Sequence, residues 1–233
     1  MVTYHRVIRP WHIDWGTIGD EATRLLPGDG FAATQDRPST HAITIRGPAR
    51  DVWPWIIQIG QRRGGFYSYT WLENLFGCRM MNADRIVPEW QHREIGDEVW
   101  LHPKGPPLKV IELEEGHALV LGGRSGSVEN AGTAENSSGA VFSWAFVLDQ
   151  QTETETRFIV RGKGHWGTGW KWRLFDYLIG EPAHFIMERR MLLGIKRRVE
   201  SGSSTDDEEH GRHNDVVDSE NPSTSSRLPD SGK

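Results

Sequence analysis

Six short segments that read as strands, followed by one long helix with an apolar stripe, set the strongest limit on what this chain can become. Alternation marks His41–Arg46, with Ile43 and Ile45 on one face, and Val141–Leu148, with Phe142, Trp144, Phe146 and Leu148 together. Asp97–His102, Leu108–Glu114, Ala118–Leu121 and Thr156–Lys163 complete the set, and Glu115-Gly116 supplies a tight turn between two of them. The helix from Ala183 to about Val199 then puts Phe185, Leu192, Ile195 and Val199 on one face, flanked by Ile186 and Leu193. A sheet with one apolar face must bury it, and this helix is the main element able to cover it. The expectation is an α+β domain in which a curved antiparallel sheet wraps around the C-terminal helix. Any space left between the two is an apolar cavity of the kind that takes small molecules.

Between the first strand and the meander the sequence changes character. Gly47-Pro48 opens a helix with Val52, Trp55, Ile56 and Ile59 as its stripe and Pro54 inside it, predicting a kink. Gly60 and Gly64-Gly65 end it. Ser68 then caps a second short helix with Trp71, Leu72, Leu75 and Phe76 as its stripe, stopped by Gly77. Residues 1–39 read as an arm laid on the domain, anchored by Trp11, Trp15 and Leu25, with a short helix over Gly19–Leu26 stopped by Pro27-Gly28. Residues 40–200 form the domain, with residues 124–139 a long polar loop and Trp170–Ile179 a short helix. Residues 201–233 have the composition of a disordered acidic tail.

Charge and cysteine content exclude several function classes. Past Ser201 the acids Asp206, Asp207, Glu208, Glu209, Asp215, Asp218, Glu220 and Asp230 stand against Arg212, Arg227 and Lys233. That imbalance is the whole formal net charge of −5 and leaves the body neutral. A neutral body lacks the basic stripe that nucleic acid requires. The run Lys196 to Arg198 reads as a solvated helix end. Cys78 is the single cysteine, so no internal disulfide and no cysteine-rich zinc site can form. With no apolar leader and no apolar run of about 20 residues, the expected location is the cytoplasm.

The run VWPWIIQIGQRRGGFYSYTWLENLFG, followed by NADRIVPEWQ, GDEVWLHPKGPPLKV and HFIMERRMLLGIKRR, resembles a bacterial and archaeal branch of the START-related superfamily, often labelled SRPBCC or polyketide-cyclase-like. PGDG at Pro27–Gly30 also matches, and the resemblance covers residues 10–200. It implies the helix-grip fold. The superfamily spans lipid carriers, hormone receptors, aromatase/cyclases, ring-hydroxylase subunits and chaperone partners, so the resemblance implies no single activity.

Candidate site residues follow from the fold. Phe66, Tyr67, Tyr69, Trp71, Phe142, Trp144, Phe146 and Phe185, with Trp166, would line a cavity for a flat or lipid-like ligand, or form ordinary core. Glu188 falls inside the apolar arc of the terminal helix. A carboxylate there is paired with an arginine, tilted to solvent, or neutral with a raised pKa. Facing the cavity, it would anchor a polar group of the ligand or act as a general acid. Glu73 and Asn74, with Asp84, Arg85 and Glu89, mark either a cavity mouth or loop-bonding groups. His165 is an acid–base candidate in a turn. The ten histidines make no tight ligand pair, and Gly60–Gly65 lacks the ending of a phosphate loop, so no metal or nucleotide cofactor is expected. The leading expectation is binding of a small hydrophobic ligand, for carriage, storage or sensing. The alternatives are a cyclase/dehydratase-type enzyme using Glu188, Glu73 or His165, and a protein-interaction module. The sequence leaves monomer and homodimer both open.

Overall fold

The computed structural model describes residues 9–31, 38–69, 81–102, 106–125, 140–164 and 180–219. The expected second short helix with Trp71 and Glu73, Cys78, most of the 124–139 loop, His165, Trp166, the helix over Trp170–Ile179 and residues 220–233 lie outside the described residues.

A six-stranded antiparallel sheet is built from β1 (Ser39–Arg46), β2 (Glu98–Val99), β3 (Leu108–Glu114), β4 (Ala118–Ser125), β5 (Ala140–Gln150) and β6 (Glu155–Gly164). Its spatial order is β1-β6-β5-β4-β3-β2. The helices are α1 (Arg9–Ile13), α2 (Ala49–Ile57) and α3 (Glu181–Ser219). Side chains alternate across the sheet, and the register assigns them to faces. Leu119, Phe146, Val160 and His41 form one row on the inner face; Leu121, Trp144, Gly162 and Ser39 form the next. Met191, Leu192, Ile195 and Val199 of α3 close this face, joined by Val52, Trp55 and Ile56 of α2 in a single apolar core. This is the helix-grip arrangement. Among the described residues no helix is long and apolar enough to cross a membrane.

The alternation over Asp97–His102 predicts a longer strand than the two residues that pair with β3. The chain leaves the ladder because the carbonyl of Trp100 accepts the N–H of Gln61 (3.0 Å), which ties it to the glycine-rich turn. In that turn Gly60 and Gly65 exchange both backbone hydrogen bonds. Gly65 has φ +74°, and a Cβ on it would fall 2.5 Å from Asn82 Oδ1. Gly65 therefore admits Asn82 at close range. Asn82 Oδ1 accepts from Phe66 N (3.2 Å) and Tyr67 N (2.7 Å), and its amide donates to Ser68 O (3.0 Å), as a neighbouring strand would. Arg93, 5 % exposed, donates to the carbonyls of Ile57 and Ile59 where α2 ends. That places a cation at the negative pole of the helix. Burial pulls its pKa down to about 10, with Arg63 adding to the fall.

The other face of the sheet is covered by residues 13–31. Leu26 packs there with Ala42, Val120, Ala145, Val147 and Ile159, and Ala42 N donates to Trp15 O (3.0 Å). Two expectations for this segment need correction. Leu25 is 89 % exposed and anchors little, and Trp11 is 59 % exposed with one contact on Phe185; Ile13 and Leu26 are the buried residues, with Trp15 packed at the core's edge. Gly19–Leu26 is a series of turns, not a helix. Arg161 donates to the carbonyls of Glu21 (2.7 Å) and Arg24 (2.8 Å), and the first of these is an acceptor that a helix would have used for itself. The PGDG turn sits on the same face, where Gly28 N donates to Glu112 and Asp29 pairs with Arg161 at 2.7 Å.

The stripe predicts that the terminal helix ends near Val199, with a tail lacking fixed structure beyond it. The helix instead runs on to Ser219. Gly202 and Gly211 each cost about 1 kcal/mol relative to alanine, which weakens a helix without stopping it, and no proline intervenes before Pro222. Where α3 crosses the glycine-rich turn it is pressed closely: a Cβ on Gly194 would lie 2.7 Å from Tyr67 O and 3.2 Å from Tyr67 Cβ. Gly194→Ala should therefore destabilise the fold by about 1–3 kcal/mol, despite alanine's better helix propensity. A lowered urea midpoint is the expected reading; an unchanged or raised midpoint would show that the helix can move away freely.

Candidate functional site

Inward-facing side chains of β1 and β5 meet the first two turns of α3 around Glu188. His184 and Glu188 are four residues apart on the helix and so share a face. His184 Nε2 lies 2.6 Å from Glu188 Oε2. Across the gap, His41 of β1 brings Nδ1 to 3.4 Å from Glu188 Oε1. His41 and the carboxylate are each about 1 % exposed, whereas His184 is one-third exposed and forms the outer edge of the cluster. A backbone carbonyl can only accept, so the 2.8 Å contact of His41 Nε2 with His12 O fixes a proton on Nε2. Nδ1 then faces the carboxylate.

The sequence leaves Glu188 paired with an arginine, exposed, or neutral. It is instead buried and paired with two histidines. Burial pushes its pKa up, but His184 and then His41 outweigh that push and hold the carboxyl at about 2. Among the described residues no three His, Cys, Asp or Glu side chains form a group able to hold a metal ion.

The expected aromatic residues that are described divide into three groups. Phe66, Trp144 and Phe146 form one continuous wall, with ring centroids 5.7 Å apart for Phe66–Trp144 and 4.8 Å for Trp144–Phe146. Trp144 also faces His184 at 5.8 Å. Phe142 is buried one inward position further along β5. Phe185 points the other way, packing edge-on against Trp11, Trp15 and His41. It links the site to the N-terminal segment, whose Arg9 pairs with Glu181 at the start of α3 (2.8 Å).

Tyr67 and Tyr69 belong elsewhere. The Tyr67 hydroxyl accepts from Gln58 Nε2 (2.8 Å) beneath the guanidinium of Arg198, and Tyr69 lies under Arg190. Burial raises the Tyr67 pKa to about 12, against the opposing pull of Gln58 and Arg198. Asp84, Arg85 and Glu89 are exposed. The carbonyls of Ala83 and Arg85 accept from Arg198 and Gln58, so this segment ties the loop to α3 and α2.

His184 and His41 were missed as candidates, although both left a signal. The HFIME spacing puts His184 on the Glu188 face, and His41 keeps the inward phase of Ile43 and Ile45. Opposite Trp144 on β6 stands Gly162, which has no side chain to fill the inner face. A Cβ there would lie 3.1 Å from Ser39 Oγ, 3.7 Å from His184 Nε2 and 4.0 Å from a Phe142 ring carbon.

No family model matches this chain, and no curated protein matches its sequence. Solved structures similar to it include a protein from Mesorhizobium loti, at 13 % identity over 70 % of this chain and 97 % of that one, with a TM-score of 0.38. The self-sacrificing resistance protein CalC from Micromonospora echinospora matches at 11 % identity over 70 % and 94 %, with a TM-score of 0.37. A Polyketide_cyc-like protein from Corynebacterium glutamicum matches at 15 % identity over 70 % and 91 %, with a TM-score of 0.32. The helix-grip assignment stands on the strand order and the placement of α3.

Proposed function

We propose that this protein binds a small, largely apolar molecule between the aromatic face of β5 and the first turns of α3, for carriage, storage or sensing. The observation that carries this reading is the Glu188–His184 pair, an ionic group set against the Phe66–Trp144–Phe146 wall and reaching the surface through His184. An apolar lining with a few convergent polar groups is the usual composition of a small-molecule site. A perturbed carboxylate within it is a recognised marker of function.

Native mass spectrometry of the protein purified from its own host, followed by denaturing extraction, tests the reading. The expected result is a stoichiometric apolar adduct. A protein that carries nothing, and whose melting point is unmoved by a panel of lipids and aromatic compounds, would reject it.

The close His184–Glu188 contact also favours a second reading, in which the pair moves a proton on the bound molecule, as a cyclase or dehydratase would require. Loss of Glu188 separates the two. A carrier keeps measurable affinity, whereas an enzyme keeps binding and loses turnover.

A further inference from the structure

We propose that Trp144 is the specificity-determining donor of this site, its indole N–H taking a carbonyl or phenolic oxygen on a flat aromatic ligand. The inference rests on the binding reading above and adds the chemical class that the site selects.

Trp144 is 7 % exposed, and its Nε1 is buried with no hydrogen-bond partner among the described residues. A buried indole N–H ordinarily finds an acceptor. Leaving it unsatisfied costs about 1–3 kcal/mol of desolvation, and such a group in a folded protein calls for an explanation. The ring contacts of Trp144 with Phe66 and Phe146 are made by its aromatic faces and edges and do not use the N–H.

The surroundings point to a ligand group as the absent acceptor. Gly162, across the strand pair from Trp144, presents no side chain to the inner face, and Ser39, His184 and Phe142 surround that position. Indole nitrogen donates and cannot accept. It therefore discriminates between a ligand bearing an acceptor oxygen and a hydrocarbon of the same shape. An aromatic skeleton suits the flat rings of the wall. A carboxylate head is disfavoured because Glu188 already places a negative charge behind His184.

The test uses the full chain and two probes of matched shape, fluorene and fluorenone, which differ by one carbonyl oxygen. Titrations are followed by the indole N–H cross-peaks in a ¹⁵N–¹H spectrum, with the Trp144 peak identified by its loss in Trp144→Phe. Fluorenone should bind about ten-fold more tightly than fluorene, a ratio one hydrogen bond can supply. The Trp144 indole peak should move downfield on saturation with fluorenone. In Trp144→Phe the preference should fall below about two-fold, while the spectrum retains a folded dispersion.

Equal affinity for both probes, or a Trp144 peak unmoved by bound fluorenone, overturns the inference and leaves the binding reading standing. A preference retained in Trp144→Phe likewise overturns it. If that variant does not fold, the wild-type affinity ratio still decides. Failure of both probes to bind overturns the aromatic class, and an empty protein in native mass spectrometry would bring down the binding reading itself.

Discussion

Arg157→Ala should destabilise the fold by about 3–5 kcal/mol, the range for breaking a buried ion pair by removing one partner. Arg157 projects from the outer face of β6 into the layer formed by residues 13–31, where it is 6 % exposed. Its guanidinium makes a two-pronged pair with Glu21 (Nε to Oε1 2.8 Å, a terminal nitrogen to Oε2 2.7 Å) and also donates to Thr44 Oγ1 and Gly16 O. Truncation strands the Glu21 carboxylate, itself 6 % exposed, and frees the carbonyl of Gly16. Equilibrium urea unfolding of the variant checks the magnitude. A double variant, Arg157→Ala with Glu21→Ala, isolates the coupling. If the pair matters as argued, removing Glu21 as well should cost much less than the sum of the two single losses. Strict additivity would mean that the segment is held by its apolar contacts alone.

A second large effect is expected at Glu188, and it depends on pH. The carboxyl titrates at about 2 in the folded chain against an ordinary 4.5. A folded value below the unfolded one means that the ionised form is favoured by folding. The resulting stability is fully present above pH 4.5 and is lost as the pH falls towards 2. The gap corresponds to a contribution on the order of 3 kcal/mol at neutral pH.

Glu188→Gln keeps the shape and removes the charge, so it should lower stability by about that amount at pH 6. It should also flatten the acid limb. Between pH 4.5 and 2 the wild type should lose stability more steeply than the variant, and their difference should shrink towards zero. Glu200 is also held low, against its burial, by Lys196 and the N–H of Arg46, but it is common to both proteins and cancels in the comparison. Parallel acid limbs would mean that Glu188 is not the charged centre of its histidine pair.

Much of the candidate site was legible in the sequence because its signals are local. The period-two phase of β5 assigns Phe142, Trp144 and Phe146 to one face, and strand geometry leaves no alternative. The 3.6-residue period of the terminal helix places Glu188 among apolar residues, and the same count puts His184 beside it. The helix-grip arrangement follows from the order of the elements, since only the last helix had enough apolar surface to cover the sheet. The turn at Gly60–Gly65 was legible as a turn, though not what it turns against. Asn82, which imitates a strand there, carries no periodic signal.

Residues far apart in the chain met only through tertiary structure. His41 faces Glu188 because β1 pairs with β6 in a register that puts it beside Val160 under α3, and register is a property of the assembled sheet. Tertiary contacts also decided the form of residues 13–31. Arg157 and Arg161 read as outward-facing strand residues, yet they draw in the carbonyls and carboxylates of a segment whose own pattern favoured a helix. Local periodicity thus determined which face each side chain occupies. Only the fold decided which charges meet, because burial makes a pairing across the sheet outweigh the propensity of the segments that supply it.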